Sequence, residues 1–108
     1  MSNLGNFDFE LDLDFDEIER QQKRIEEIER AVMAMEVTGR SRRGEVTAII
    51  KGTGQFTKIK IDPNLAGRQS LDTISNLVLE AVNDGMRKLN EATRKRFEPL
   101  ISAEPGVG

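Results

Sequence analysis

The side chains able to do chemistry are few in kind. The chain has no cysteine and no histidine. That excludes disulfides and thiolate metal sites, and it removes the usual general base and the commonest metal ligand. Carboxylates and cations remain. Asp12, Asp14 and Asp16 imitate the opening of a calcium loop. Glu17, however, stands where such a loop needs glycine for its sharp turn, and the distal bidentate glutamate would fall inside a helix. "GTGQ" at 52–55 has the glycines of a phosphate cradle but no helix after it, so it reads as a turn. No nucleophile, cofactor site, metal site or small-molecule substrate is indicated, and the expectation is a protein that is not an enzyme. The cations are more informative. Arg20, Lys23 and Arg24 form one cluster, Arg40, Arg42 and Arg43 a second, and Arg94, Lys95 and Arg96 a third. Flexible cations spaced along a surface are what neutralisation of a phosphate backbone requires.

Charge is unevenly distributed. The net charge is −3. Residues 1–36 carry −7, residues 37–69 carry +5, and residues 70–108 carry −1, so a basic middle follows an acidic front. Within that front, Phe7, Phe9, Leu11, Leu13 and Phe15 alternate with Asp8, Glu10, Asp12, Asp14 and Asp16. The period is that of an extended strand with one apolar and one acidic face. Three readings stay open for residues 7–15: an acidic arm that masks basic residues of its own chain, a docking face for a partner protein, or a solvated leader.

At 108 residues, the chain is sized for one domain near the lower limit for a self-sufficient core. Apolar residues make up 37% and include only five Phe, which points to an oligomer sharing its core. No apolar run approaches a membrane span, and no basic-then-apolar signal pattern opens the chain, so a soluble cytoplasmic protein is expected.

The elements that must position the cations follow from periodicity. Ile18, Ile25 and Val32, with Ile28 and Met35 between their turns, form a heptad seam that predicts a helix over 15–36, capped by Asp14 or Asp16. Ion pairs Glu19–Lys23, Lys23–Glu27 and Glu26–Arg30 are expected on its outer face. The seam residues are candidates for a dimer interface. Three extended segments follow: "EVTGRS", "EVTAIIK" (45–51) and "QFTKIKI" (55–61), separated by turns at "RRG" and "KGTGQ". In the last strand, alternation puts Thr57, Ile59 and Ile61 on one face and Phe56, Lys58 and Lys60 on the other. Pro63 ends it. A second helix starts at a Ser70 cap and presents Leu71, Ile74, Leu77, Val78, Ala81, Val82, Met86 and Leu89. Pro99 is expected to stop it, leaving 99–108 as a flexible tail after a 15–98 domain and a 1–14 leader. The class is α+β, with order α-β-β-β-α: a three-stranded antiparallel sheet flanked by two long helices. Because one helix runs toward the sheet and the other away, the start of the first and the end of the second can share the far end of one arm. Gly85, in mid-helix, implies a close crossing or a packing gap.

The stretches "EVTGRSRRGEVTAIIKGTG", "IKIDPNL" and "LDTISNLVLEAVNDGMRK", in that order, resemble the YbaB/EbfC family of bacterial nucleoid-associated proteins. With the flanking helices, the resemblance covers about residues 15–98. It implies a homodimer whose paired helical arms project like tweezers. It also implies binding of duplex DNA with limited sequence preference, roles in nucleoid organisation and gene regulation, and no catalytic activity. The acidic-aromatic leader departs from the Gly/Met-rich, uncharged start usual in the family.

Overall fold

A computed structural model describes residues 14–65 and 67–102. Helix α1 (Phe15–Met33) leads into strands β1 (Glu36–Arg40), β2 (Val46–Lys51) and β3 (Phe56–Ile61). A 3-10 turn over Pro63–Leu65 then leads into helix α2 (Leu71–Ser102). The strands form one antiparallel sheet in the order β1-β2-β3. The expected α-β-β-β-α order is therefore what the chain adopts.

Asp14 caps α1, its Oδ1 accepting from Asp16 N at 3.1 Å and Glu17 N at 3.2 Å. That carboxylate satisfies two orphan donors of the first turn. The helix ends earlier than the heptad count suggested. Ala34 closes it, and Met35 lies in the link to β1, where its carbonyl accepts from Gly52 N at 2.9 Å. Met35 thus falls off the helical seam, because the chain must turn into the sheet before the repeat is complete. The expected Glu19–Lys23, Lys23–Glu27 and Glu26–Arg30 pairs are not formed; Arg20–Glu17 at 2.6 Å is the α1 pair instead. Exposed pairs of this kind contribute only tenths of a kcal/mol, roughly 0.2–0.5, so competing geometries win easily.

Ser70 caps α2, its Oγ accepting from Thr73 N at 3.1 Å. The helix passes through Pro99 and ends at Ser102, so the proline does not stop it. So near the C-terminus, Pro99 removes one ladder bond, from its own nitrogen to the Lys95 carbonyl, and that carbonyl lies on an exposed turn. Residues 103–108 lie outside the described chain, as do residues 1–13.

The core is where α2 crosses β1 and β2. Val46, Ala48, Ile50, Ala81 and Leu89 are buried, with Phe56, Leu65, Leu77, Val78 and Val82 packed around them. Leu71 and Met86, expected on the apolar face, are exposed. Gly39 makes the crossing possible: a Cβ there would sit 2.1 Å from the Ala81 carbonyl oxygen and 2.3 Å from Gly85 N. The helix backbone rests directly on the strand.

Register corrects one expectation. Ile49 pairs with Lys58 and Ile50 with Phe56, so Thr57 is the extra residue of a bulge. The bulge returns Phe56 to the face shared by Ile59 and Ile61, where it packs against the core. Simple alternation had placed it opposite them.

Candidate nucleic-acid interface

The β1–β2 turn is held against α2 by side chains spaced four apart. Glu80 Oε1 accepts from Arg42 N at 3.0 Å, Asp84 Oδ2 accepts from Arg40 N at 2.9 Å, and Lys88 Nζ donates to the Thr38 carbonyl at 3.3 Å. Four helical residues rise about 6 Å and two strand residues about 6.8 Å, so each step of one element matches a step of the other. Two outward-facing groups of the β1 edge, the Arg40 N–H and the Thr38 carbonyl, are thereby occupied, which blunts an edge that would otherwise invite strand pairing. Asp84 also pairs with Lys88 at 3.0 Å and with Arg87. The Arg40 N–H, and after it Lys88, hold the Asp84 carboxyl below its ordinary 3.8.

This clamp shapes an open groove. Arg40, Arg42 and Arg43 line it from the turn, and Arg87, with Glu80, Asn83 and Asp84, lines it from α2. A smaller groove over Arg87, Lys88, Glu91 and Lys95 shares Arg87 with it and runs on along the helix. The second cation cluster therefore joins the third through Arg87 and Lys88, over a helical rise of roughly 12 Å from residue 87 to 95. Sequence reasoning missed both bridging cations. Their signal was the four-residue spacing of Glu80, Asp84 and Lys88, legible only once β1 is known to lie beneath.

The other expected cations are all exposed. Arg20 is engaged by Glu17, and Arg94 by Glu91 at 2.8 Å and Glu98 at 3.6 Å. These bonds lower the Glu17 and Glu91 carboxyls, Arg20 being the main cause for the first and Arg94 for the second. Lys23, Arg24, Lys95 and Arg96 have no ion pair among the described residues, so their charge is available. The α1 and α2 clusters leave the sheet at the same end, since β1 follows α1 there and α2 runs past the Thr38 end of β1 toward Ser102. The two helices touch over only a short stretch. The structure brings the turn cluster onto α2; it does not bring Arg20, Lys23 and Arg24 into contact with Arg94, Lys95 and Arg96.

The sequence profile of the YbaB/EbfC DNA-binding family matches residues 10–104, almost the whole chain. The chain belongs to the YbaB/EbfC family. Among its relatives, a nucleoid-associated protein of Corynebacterium jeikeium is 30% identical over 90 residues, covering 83% of this chain and 86% of its own. A nucleoid-associated protein of Rhodospirillum rubrum is 29% identical over 110 residues, covering 99% and 96% respectively. A crystal structure of an uncharacterized protein from Helicobacter pylori superposes with a TM-score of 0.57 at 20% identity, covering 72% of this chain and 90% of that one. That likeness speaks for the fold alone. Among the described residues, no helix is long and apolar enough to cross a membrane.

Proposed function

We propose that this YbaB/EbfC protein is a nucleoid-associated protein that binds duplex DNA as a homodimer, by neutralising backbone phosphates with limited sequence preference. The supporting observation is the cationic track: Arg40, Arg42 and Arg43 joined through Arg87 and Lys88 to Lys95, with Arg94 and Arg96 beyond. Arg20, Lys23 and Arg24 extend the surface on α1. These side chains are exposed and lack the arrangement of a recognition helix with base-reading residues in a major groove. Work at the nucleoid, inside the cell, is supported by the names of its relatives; a role in gene regulation is what the family resemblance implies.

The dimer is supported by α1. Ile18 is 45% exposed and Ile25 38%, while Ile28 and Val32 are half-buried. A heptad stripe left open along one helix suits a second copy of the same helix.

Fluorescence anisotropy of a labelled duplex at several salt concentrations tests the reading. Log affinity should fall linearly with log salt, by roughly 0.9 per phosphate contacted. Unrelated duplex of equal length should compete about as well as any chosen fragment. Affinity indifferent to salt would overturn the phosphate reading and favour apolar docking of a protein partner. Discrimination between sequences above about 10³-fold would overturn limited preference.

A further inference from the structure

The two edges of the sheet are treated differently. Asp84 and Lys88 occupy outward groups of β1, whereas α2 lies mainly over β1 and β2 and meets β3 at Phe56, leaving Ile59 and Ile61 part-exposed. Asp62 N donates inward, to the Glu45 carbonyl at 2.8 Å. Alternation then turns the N–H groups of Ile61 and Ile59 outward, along a free edge. The side chains of β3 alternate as well. Ile59 and Ile61, 40% and 42% exposed, stand on the face shared with Ala48 and Val46. Lys58 and Lys60 stand on the opposite face, with no ion pair among the described residues.

One segment of the chain carries the complementary alternation. Phe7, Phe9, Leu11 and Leu13 take turns with Asp8, Glu10 and Asp12. Because side chains on a strand repeat every two residues, a partner strand set beside β3 with its apolar residues level with Ile59 and Ile61 automatically sets its acids level with Lys58 and Lys60. We propose that residues 7–13 of a second copy of this chain add as a strand to the free edge of β3. This is edge augmentation, in which main-chain hydrogen bonds hold the added strand and alternate side chains select it.

Geometry excludes the chain's own leader. Residue 14 lies at the far end of a 19-residue helix, about 28 Å long, whose contact with the hairpin is at Val32 and Gly52. Residues 7–13 span at most about 25 Å when fully extended, so they are used up before they can lie alongside β3. A second β3 is a poor occupant too. Keeping isoleucine against isoleucine would set lysine opposite lysine, which is destabilising. The leader brings carboxylates instead.

The native chain has no cysteine, so engineered ones report proximity without background. Full-length Asp12→Cys protein is mixed with full-length Thr57→Cys protein under mild oxidation, and disulfide-linked heterodimer is read on a non-reducing gel. That heterodimer should dominate over the product of Asp12→Cys with Arg96→Cys. Adding Lys58→Glu and Lys60→Glu to the Thr57→Cys chain should cut the yield about tenfold, the change that about 1.4 kcal/mol produces. Adding Asp8→Lys and Glu10→Lys to the other chain should restore it, which a misfolded variant could not do. Three results would each overturn the proposal. Preferential linkage to the Arg96→Cys chain would mean that the leader covers the arm's cations. Closure of a chain carrying both Asp12→Cys and Thr57→Cys upon itself would mean that the leader reaches its own sheet. Equal, weak linkage everywhere would mean that it docks nowhere. None of these outcomes bears on DNA affinity, which the salt titration measures separately.

Discussion

Gly39 and Gly85 face one another where α2 crosses β1, yet they do different things. At Gly39 an added methyl would meet helix backbone at 2.1 Å, and backbone cannot move aside as a flexible side chain can. Gly39→Ala should destabilise the fold by about 1–3 kcal/mol or more, read as a lowered urea midpoint. At Gly85 the nearest atoms to an added Cβ are 3.5–3.6 Å away, which is ordinary contact. Helix propensity then decides, and Gly85→Ala should be neutral or stabilising by up to about 1 kcal/mol. Asp84 offers a second test at this scale. Its side chain is only 14% exposed and its carboxylate receives the Arg40 N–H. A carboxyl held below 3.8 in the folded state adds stability above that pH and loses it as pH falls through the folded value. Asp84→Asn should therefore be less stable than the parent at neutral pH, and the difference should close in acid below pH 3.8. Urea melts at both pH values check this.

At the scale of elements, α1 and α2 are held to the rest of the molecule in opposite ways. α2 is fixed to β1 by tight packing at Gly39 and by the Glu80, Asp84 and Lys88 ladder. α1 meets the hairpin closely at Gly52, where a Cβ would lie 1.6 Å from the Val32 carbonyl oxygen, and has no buried residue. A helix without a buried residue draws its stability from packing elsewhere, since isolated helices of this length are marginal in water. Ile25→Glu, which places charge in the middle of the exposed stripe, should dissociate the proposed dimer or unfold α1. Light scattering at micromolar concentration, together with helical circular dichroism, separates the two. A wild-type chain that is a folded monomer under the same conditions would refute the dimer.

The whole molecule is elongated, measuring 80 × 26 × 23 Å with a radius of gyration of 22.7 Å. A compact domain of this length would have a radius near roughly 13 Å. An extended body presents its cations along a line, which suits a duplex better than a single pocket would. Removing Arg94, Lys95 and Arg96 together (each to Ala) should weaken binding similarly for all sequences. It should also flatten the salt slope by roughly 0.9 for each phosphate left without its cation, three at most. Weakened affinity for one sequence alone would contradict backbone neutralisation.

Much of this protein is legible in local patterns. The heptad of Ile18, Ile25 and Val32, the alternation of Val46, Ala48 and Ile50, and the Ser70 cap are of that kind. A period of 3.6 or 2 states which residues share a face, whatever lies opposite. Glycine, proline and capping residues mark most of the boundaries for equally local reasons, and the ordered set of such signals carries the family. What tertiary structure alone decided is what those faces meet. Met35 leaves the helix because its carbonyl is claimed by Gly52, seventeen residues away. Phe56 changes face through a bulge that exists only in the pairing of β3 with β2. Arg87 and Lys88 join the basic track because α2 happens to lie along β1, and Lys58 and Lys60 gain meaning because the other edge of the sheet was left open. Periodicity is a property of a segment. Register, contact and an unoccupied edge belong to pairs of segments far apart in the chain, and a single sequence does not encode them in any local pattern.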